Sequence, residues 1–222
     1  MLTAASVRVR PGRITALLGR NGCGKTTLLK ILIGFQRADH GRVEFAGSWT
    51  ERPRLDSLAA RGLFFIPDRD LLTRNRTVRE HIELLGRRFG KTDAGDAIRA
   101  TGIGGVLDQR PGTLSGGEQR RSEIALALLR EPTCLIADEP FMGIAPNDAE
   151  MMSAALRRLA NAGCGLLITG HEVETLLDLA DDVVWMTAGT THPLGPPADA
   201  RHHHSFIRDY LGPRAATAPA RT

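Results

Sequence analysis

The passage Gly19-Arg20-Asn21-Gly22-Cys23-Gly24-Lys25-Thr26 constrains this chain more than any other, because it fits the pattern G-x-x-x-x-G-K-[ST]. It leaves the apolar run 14–18 and enters a helical pattern over 26–33 that Gly34 closes. A loop between a buried strand and a helix turns its N–H groups and the helix N-terminus toward one point, where an anion is stabilised. Glycines let the backbone wrap closely around phosphate oxygens. Lys25 adds a mobile positive charge for β- and γ-phosphates, and the Thr26 hydroxyl can ligate Mg²⁺. The chain has only three lysines, Lys25, Lys30 and Lys91, so one at this place is informative.

A second feature supports the first. Cys134-Leu135-Ile136-Ala137-Asp138-Glu139 is an apolar run ending in two carboxylates. A buried strand delivers such a pair to its C-terminal end, where open parallel sheets bind ligands. Asp138 is suited to a Mg²⁺ shell, mainly through water, and Glu139 to polarising a water for in-line attack on a γ-phosphate. A third feature, Leu114-Ser115-Gly116-Gly117-Glu118-Gln119, opens a helix. Its free N–H groups can make a second anion site, although in isolation it reads first as an ordinary capped helix.

Around these features strand and helix patterns alternate. Strands are expected at 6–10, 14–18, 42–46, 63–66, 133–137, 165–169 and 182–186, and helices at 26–33, 149–160 and 173–179. Residues 70–131 read as helical, with an N-cap at Thr77, Glu80 completing a capping box, and a break at 102–105. Alternation of this kind predicts an α/β fold with a parallel sheet, and the helical stretch predicts an inserted lobe. Residues 213–222 are Pro/Ala/Thr-rich and expected to be a flexible tail. The histidines 202–204 read as a solvated linker rather than a metal site, since neighbouring side chains on a helix point apart.

Composition excludes several classes. Of 222 residues, 42% are hydrophobic and 24% charged, the balance of a globular domain with a core. No apolar run nears the roughly 20 residues of a membrane helix, and the start carries no secretory signal. Three cysteines are too few for a disulfide or zinc framework. A cytoplasmic location is therefore expected. The net charge of +4 rests on scattered arginines and not on a basic run, so no nucleic-acid partner is expected. A thiol-alkylating reagent at Cys23, inside the phosphate loop, is expected to block nucleotide binding, with bound nucleotide protecting.

Taken together, these motifs resemble the ATP-binding cassette family. Gly19 to Thr27 looks like its phosphate loop, Leu114 to Gln119 its signature motif, and 134–139 its acidic strand. Ser115 precedes Asp138 by 23 residues, a family-like separation, and His171 follows Glu139 by 32, in the register of the switch histidine that contacts the γ-phosphate. The late Tyr210-Leu211-Gly212 adds a likeness to the ATPase subunits of lipopolysaccharide export and branched-chain amino-acid uptake. The resemblance implies one ATP-binding domain over 1–212: a P-loop NTPase core with a mostly parallel sheet, a small antiparallel β subdomain and a helical lobe at about 70–131. It implies ATP and Mg²⁺ as ligands, with Glu139 and His171 as the hydrolytic pair. Gly19, Arg20, Asn21, Gly22, Cys23, Gly24, Lys25, Thr26 and Thr27 would hold nucleotide, with Thr26, Asp68 and Asp138 near the metal. Ser115, Gly116, Gly117 and Glu118 would hold the ATP of a second copy, two copies closing head to tail, most simply as a homodimer. A separate transmembrane permease subunit would dock on the helical insert and the loop around Asp68, placing the chain on the inner face of the membrane.

Four departures stand against the family pattern. Asp68 occupies the usual glutamine position, and Ala145 in Gly143-Ile144-Ala145-Pro146 replaces an aspartate that usually communicates across the dimer. No aromatic precedes the phosphate loop to stack on adenine, and 189–193 replaces the usual basic turn. Two other readings stay open: a degenerate cassette with a regulatory or structural role, and a DNA-linked cassette ATPase.

Overall fold

The computed structural model describes residues 2–212. The expected tail at 213–222 lies outside the described residues. The strands are β1 (Ile14–Leu18), β2 (Val43–Phe45), β3 (Ser48–Thr50), β4 (Leu63–Ile66), β5 (Cys134–Ala137), β6 (Gly165–Gly170), β7 (Asp182–Thr187) and β8 (Thr190–Gly195). The main helices are α1 (Lys25–Leu32), α2 (Leu55–Ala60), α3 (Val78–Phe89), α4 (Gly95–Thr101), α5 (Gly116–Arg130), α6 (Pro146–Asn161) and α7 (Val173–Leu179).

Six strands form one sheet in the order β4-β5-β6-β1-β7-β8, parallel except for β8, while β2 and β3 form a separate antiparallel pair. The expected P-loop-type α/β architecture, with its small antiparallel β unit and helical insertion, is present. Strand β1 is central and fully buried, and its period of two sorts its side chains between two layers. Ile14, Ala16 and Leu18 pack with α5, α6 and α7 on one face, while Leu17 packs with Leu28, Leu29 and Ile33 around α1 on the other.

The helical lobe has its own apolar cluster, with Val78, Ile82, Ala97, Ile103 and Val106 meeting Ala125, Leu126 and Leu129 of α5. Ile124 and Ala127 of the same helix face the sheet cluster. Helix α5 is therefore apolar on two sides, and it ties the lobe to the core. The lobe is not one continuous helix: Gly90 and Gly102 end α3 and α4 in left-handed C-caps. The capping box at Thr77 and Glu80 is present.

Three expectations are corrected. Residues 6–10 form no strand. Val7 and Val9 pack on the second core cluster, but Ser6 is held by the Thr191 side chain, its N–H donating to Oγ1 at 2.8 Å, and not by a ladder. Strand β3 and helix α2 do occur within a stretch where only 42–46 gave a strand signal. Finally, residues 190–195, where no strand is expected from the sequence, form a strand. Ala188 and Gly189, at φ 47° and 78°, make a tight hairpin into the edge strand β8, just as Ala46 and Gly47 do between β2 and β3. Among the described residues no helix is long and apolar enough to cross a membrane.

Candidate functional site

The ends of β1, β5 and β6 lie side by side, so the loops that follow them meet at one edge of the sheet. After β1 the chain turns through Gly24, whose φ of 114° closes the loop and starts α1. No side chain caps α1, so its first N–H groups face the loop's interior. Lys25 is almost wholly buried, and its ammonium donates to the Gly19 carbonyl at 2.8 Å. Thr26 and Thr27 follow on α1's first turn. The Cys23 thiol packs inward against Gly19, while Arg20 and Asn21 stand exposed at the loop's tip.

Across from Lys25, at the end of β5, stand the two carboxylates. Asp138 is 2% exposed. Thr169 of β6 donates its hydroxyl to Asp138 Oδ1 at 2.6 Å and accepts from the Glu139 N–H at 3.0 Å. Burial pushes the Asp138 carboxyl above its ordinary range, with the charges of Asp68 and Glu139 adding and the hydroxyls of Thr169 and Thr26 opposing. Glu139 itself takes a left-handed backbone, φ 50°, which a side-chain-bearing residue adopts only when its surroundings hold it there. Its carboxylate lies 3.5 Å from the Lys25 ammonium and 2.6 Å from Nδ1 of His171. The other ring nitrogen of His171 is 3.2 Å from Glu172. Lys25, Asp138, Glu139 and His171 are thus brought together. Asp68 lies near enough for its charge to act on Asp138, although its side chain is exposed.

The Ser115 group is elsewhere. Ser115 and Glu118 form a reciprocal capping box at the head of α5, with Ser115 N–H to Glu118 Oε2 at 2.8 Å and Glu118 N–H to Ser115 Oγ at 3.2 Å. Glu118 is held below its usual range by these bonds. Gly116 is exposed, and Gly117 sits so close to Asp148 of α6 that any Cβ there would collide with the carboxylate. Among the described residues no hydrogen bond or ion pair joins this turn to the phosphate loop.

The oxygen donors on Thr26, Asp138 and Asp68 are of the kind Mg²⁺ prefers, and the crowd of carboxylates answered within the site by one buried ammonium favours a divalent cation there. Three residues of the site carry no motif of their own. Thr169 is a single hydroxyl in an otherwise apolar strand, the one available signal. Arg120 and Glu123 of α5 pair at 2.7 Å, with Glu123 fully buried, and Arg120 also donates to the carbonyls of Pro67 and Asp68. This fixes the loop after β4 to the signature helix. Among the described residues, Glu139, His171 and Glu172 also bring three possible ligand atoms close together.

Known proteins share this fold and family. The ABC transporter family model matches residues 2–142. The lipopolysaccharide export system ATP-binding protein LptB of Haemophilus influenzae is 31% identical over 219 residues, covering 96% of this chain and 91% of that protein. The sulfate/thiosulfate import ATP-binding protein CysA of Gloeobacter violaceus is 30% identical over 219 residues, covering 93% of this chain and 62% of that protein. A solved ATP-binding subunit of an ABC transporter matches with a TM-score of 0.75 at 26% identity, over 87% of this chain and 83% of that one. A nucleotide-free ATP-binding cassette from an ABC transporter shares the fold at a TM-score of 0.79 and 24% identity, over 97% and 91% of the two chains. With a phosphate loop, an acid pair at the end of β5 and a signature helix on one such sheet, the chain belongs to the ABC transporter family, as one of its ATP-binding cassettes.

Proposed function

We propose that this cassette hydrolyses ATP in a head-to-tail dimer and passes the resulting closure to a separate membrane subunit. One observation carries the reading. The phosphate loop, the acid pair and His171 converge at one edge of the sheet, while a second helix head, Ser115 to Glu118, makes no bond to them. Two anion-binding places that do not meet within one chain are explained if each ATP lies between two chains.

Residues 1–212 act here as a single unit. The loop Gly19 to Thr27 holds the phosphates through its N–H groups and Lys25. As Lys25 turns to phosphate it leaves Glu139, whose carboxylate then accepts a proton from a water. The water oxygen bonds to the γ-phosphorus as the bond to the bridging oxygen breaks, releasing ADP and phosphate. His171 holds the γ-phosphate side of the site. Thr26 and Asp138, with Asp68 nearby, would hold Mg²⁺, which when bound would neutralise charge on the phosphates. Closure driven by ATP and reversal after hydrolysis shift a two-state population that the membrane subunit senses. The helical lobe and the loop around Asp68, joined by Arg120, face that partner, so the chain acts as a peripheral protein on the inner face of the membrane.

The test is sedimentation of the Glu139→Gln variant with Mg²⁺-ATP. A nucleotide-dependent dimer that Ser115→Arg abolishes, with monomer ATP affinity kept, is the expected result. An equal loss of monomer affinity in Ser115→Arg contradicts action across the dimer.

A further inference from the structure

The turn Ile207–Leu211 brings a tyrosine to the site. Phe206 is fully buried against Trp185 of β7, ring centroids 5.8 Å apart, and Tyr210 stacks on Phe206 at 5.3 Å. The next residue of β7, Met186, presses its carbonyl against Gly19, where any Cβ would collide with it. The turn is closed by the Gly212 N–H donating to the Ile207 carbonyl at 2.7 Å. Tyr210 is thereby held at the sheet edge beside the phosphate loop.

Two buried polar atoms at this edge have no hydrogen-bond partner among the described residues: the Tyr210 hydroxyl and Oε2 of Glu172. One is a donor and the other an acceptor. A buried group left unpaired costs about 1–3 kcal/mol, so such atoms are rare unless something pairs them. The other oxygen of Glu172 already faces His171, which faces Glu139.

We infer that Tyr210 is a positioning residue for hydrolysis, its hydroxyl linked through one water to Glu172 Oε2. The C-terminal turn then fixes the Glu172–His171–Glu139 line. Burial pushes the phenol up to about 12, with Cys23, Glu139 and Glu172 adding to the shift and the Gly19 N–H opposing it, so the hydroxyl stays a donor at neutral pH. This inference rests on the hydrolytic roles proposed above for Glu139 and His171.

Tyr210→Phe keeps the ring on Phe206 and removes only the hydroxyl. The first readout is the ring ¹⁵N signals of His171, assigned by their absence from His171→Gln, which needs no turnover. They should shift in Tyr210→Phe and shift alike in Glu172→Gln. The second is ATP turnover, expected to fall about tenfold in each single variant, the rate equivalent of one hydrogen bond, with ATP affinity unchanged. The double variant should fall no further. Unmoved His171 signals, multiplying losses in the double variant, or a matching loss of ATP affinity would each overturn the inference. Wild-type turnover in Glu139→Gln would instead sink the hydrolytic reading, and the His171 signals would still decide whether Tyr210 positions the ring.

Discussion

Thr169 donates to Asp138 at 2.6 Å, and the same hydroxyl accepts the N–H of Glu139 at 3.0 Å. One side chain on β6 therefore sets the geometry of both acids on β5. It also offsets part of what burial does to Asp138. Replacing it with the near-isosteric valine leaves a buried carboxylate oxygen and an N–H unpaired. Thr169→Val is expected to destabilise the fold by about 1–3 kcal/mol in chemical denaturation and to lower turnover more than ATP affinity. Unchanged stability would show that water replaces the hydroxyl.

Asp138 shows the opposite balance. Its carboxyl is raised in the folded chain, so the folded state holds that proton more tightly than the unfolded one. Stability therefore falls as pH rises from the unfolded carboxylate range through the folded value, and the cost is fully present at neutral pH. Asp138→Asn should raise the melting temperature at pH 7, narrow that advantage toward acid pH, and abolish Mg²⁺-dependent turnover. A lowered melting temperature at pH 7 would contradict this.

Arg120 lies almost buried beside the wholly buried Glu123. Burial pushes the Glu123 carboxyl up, against the pull of Arg120 and Gln119. Removing the guanidinium strands that acid and frees the carbonyls of Pro67 and Asp68. Arg120→Ala is expected to cost about 3–5 kcal/mol, measured by urea denaturation. Hydrogen exchange should quicken in the loop after β4 and in α5 together; quickening in α5 alone would separate the two.

Ala145 offers a gain. It occupies the N-cap of α6 before Pro146 and makes no side-chain cap bond. Ala145→Asp supplies both the cap oxygen and a charge suited to the helix N-terminus. The expected effect is about 0.5–2 kcal/mol of added stability in a thermal melt. A neutral or negative change would mean that the backbone there does not allow the cap.

The site was legible in the sequence wherever its residues are contiguous. The phosphate loop, the acid pair and the capped signature helix each fill one short passage whose local geometry follows from residue type. His171 was legible by register alone. Thr169 and Arg120 carry no such signal, because their partners lie far along the chain: Thr169 meets Asp138 across 31 residues and Arg120 meets Pro67 across 53. The missed strands have a local cause. β3 is three residues long and half polar, and β8 carries Pro193 on an edge. Their hairpins turn on Ala-Gly, where Asn-Gly is the usual signal. The overcalled strand at 6–10 had the right alternation but no neighbouring ladder to join.

The central claim is that two copies of this chain hydrolyse ATP with Glu139 as base. Mg²⁺-ATP turnover by the purified chain, measured against protein concentration beside Glu139→Gln, tests it most directly. Specific activity should rise with concentration and vanish in the variant. Activity per chain that is independent of concentration, or retained in Glu139→Gln, would contradict it.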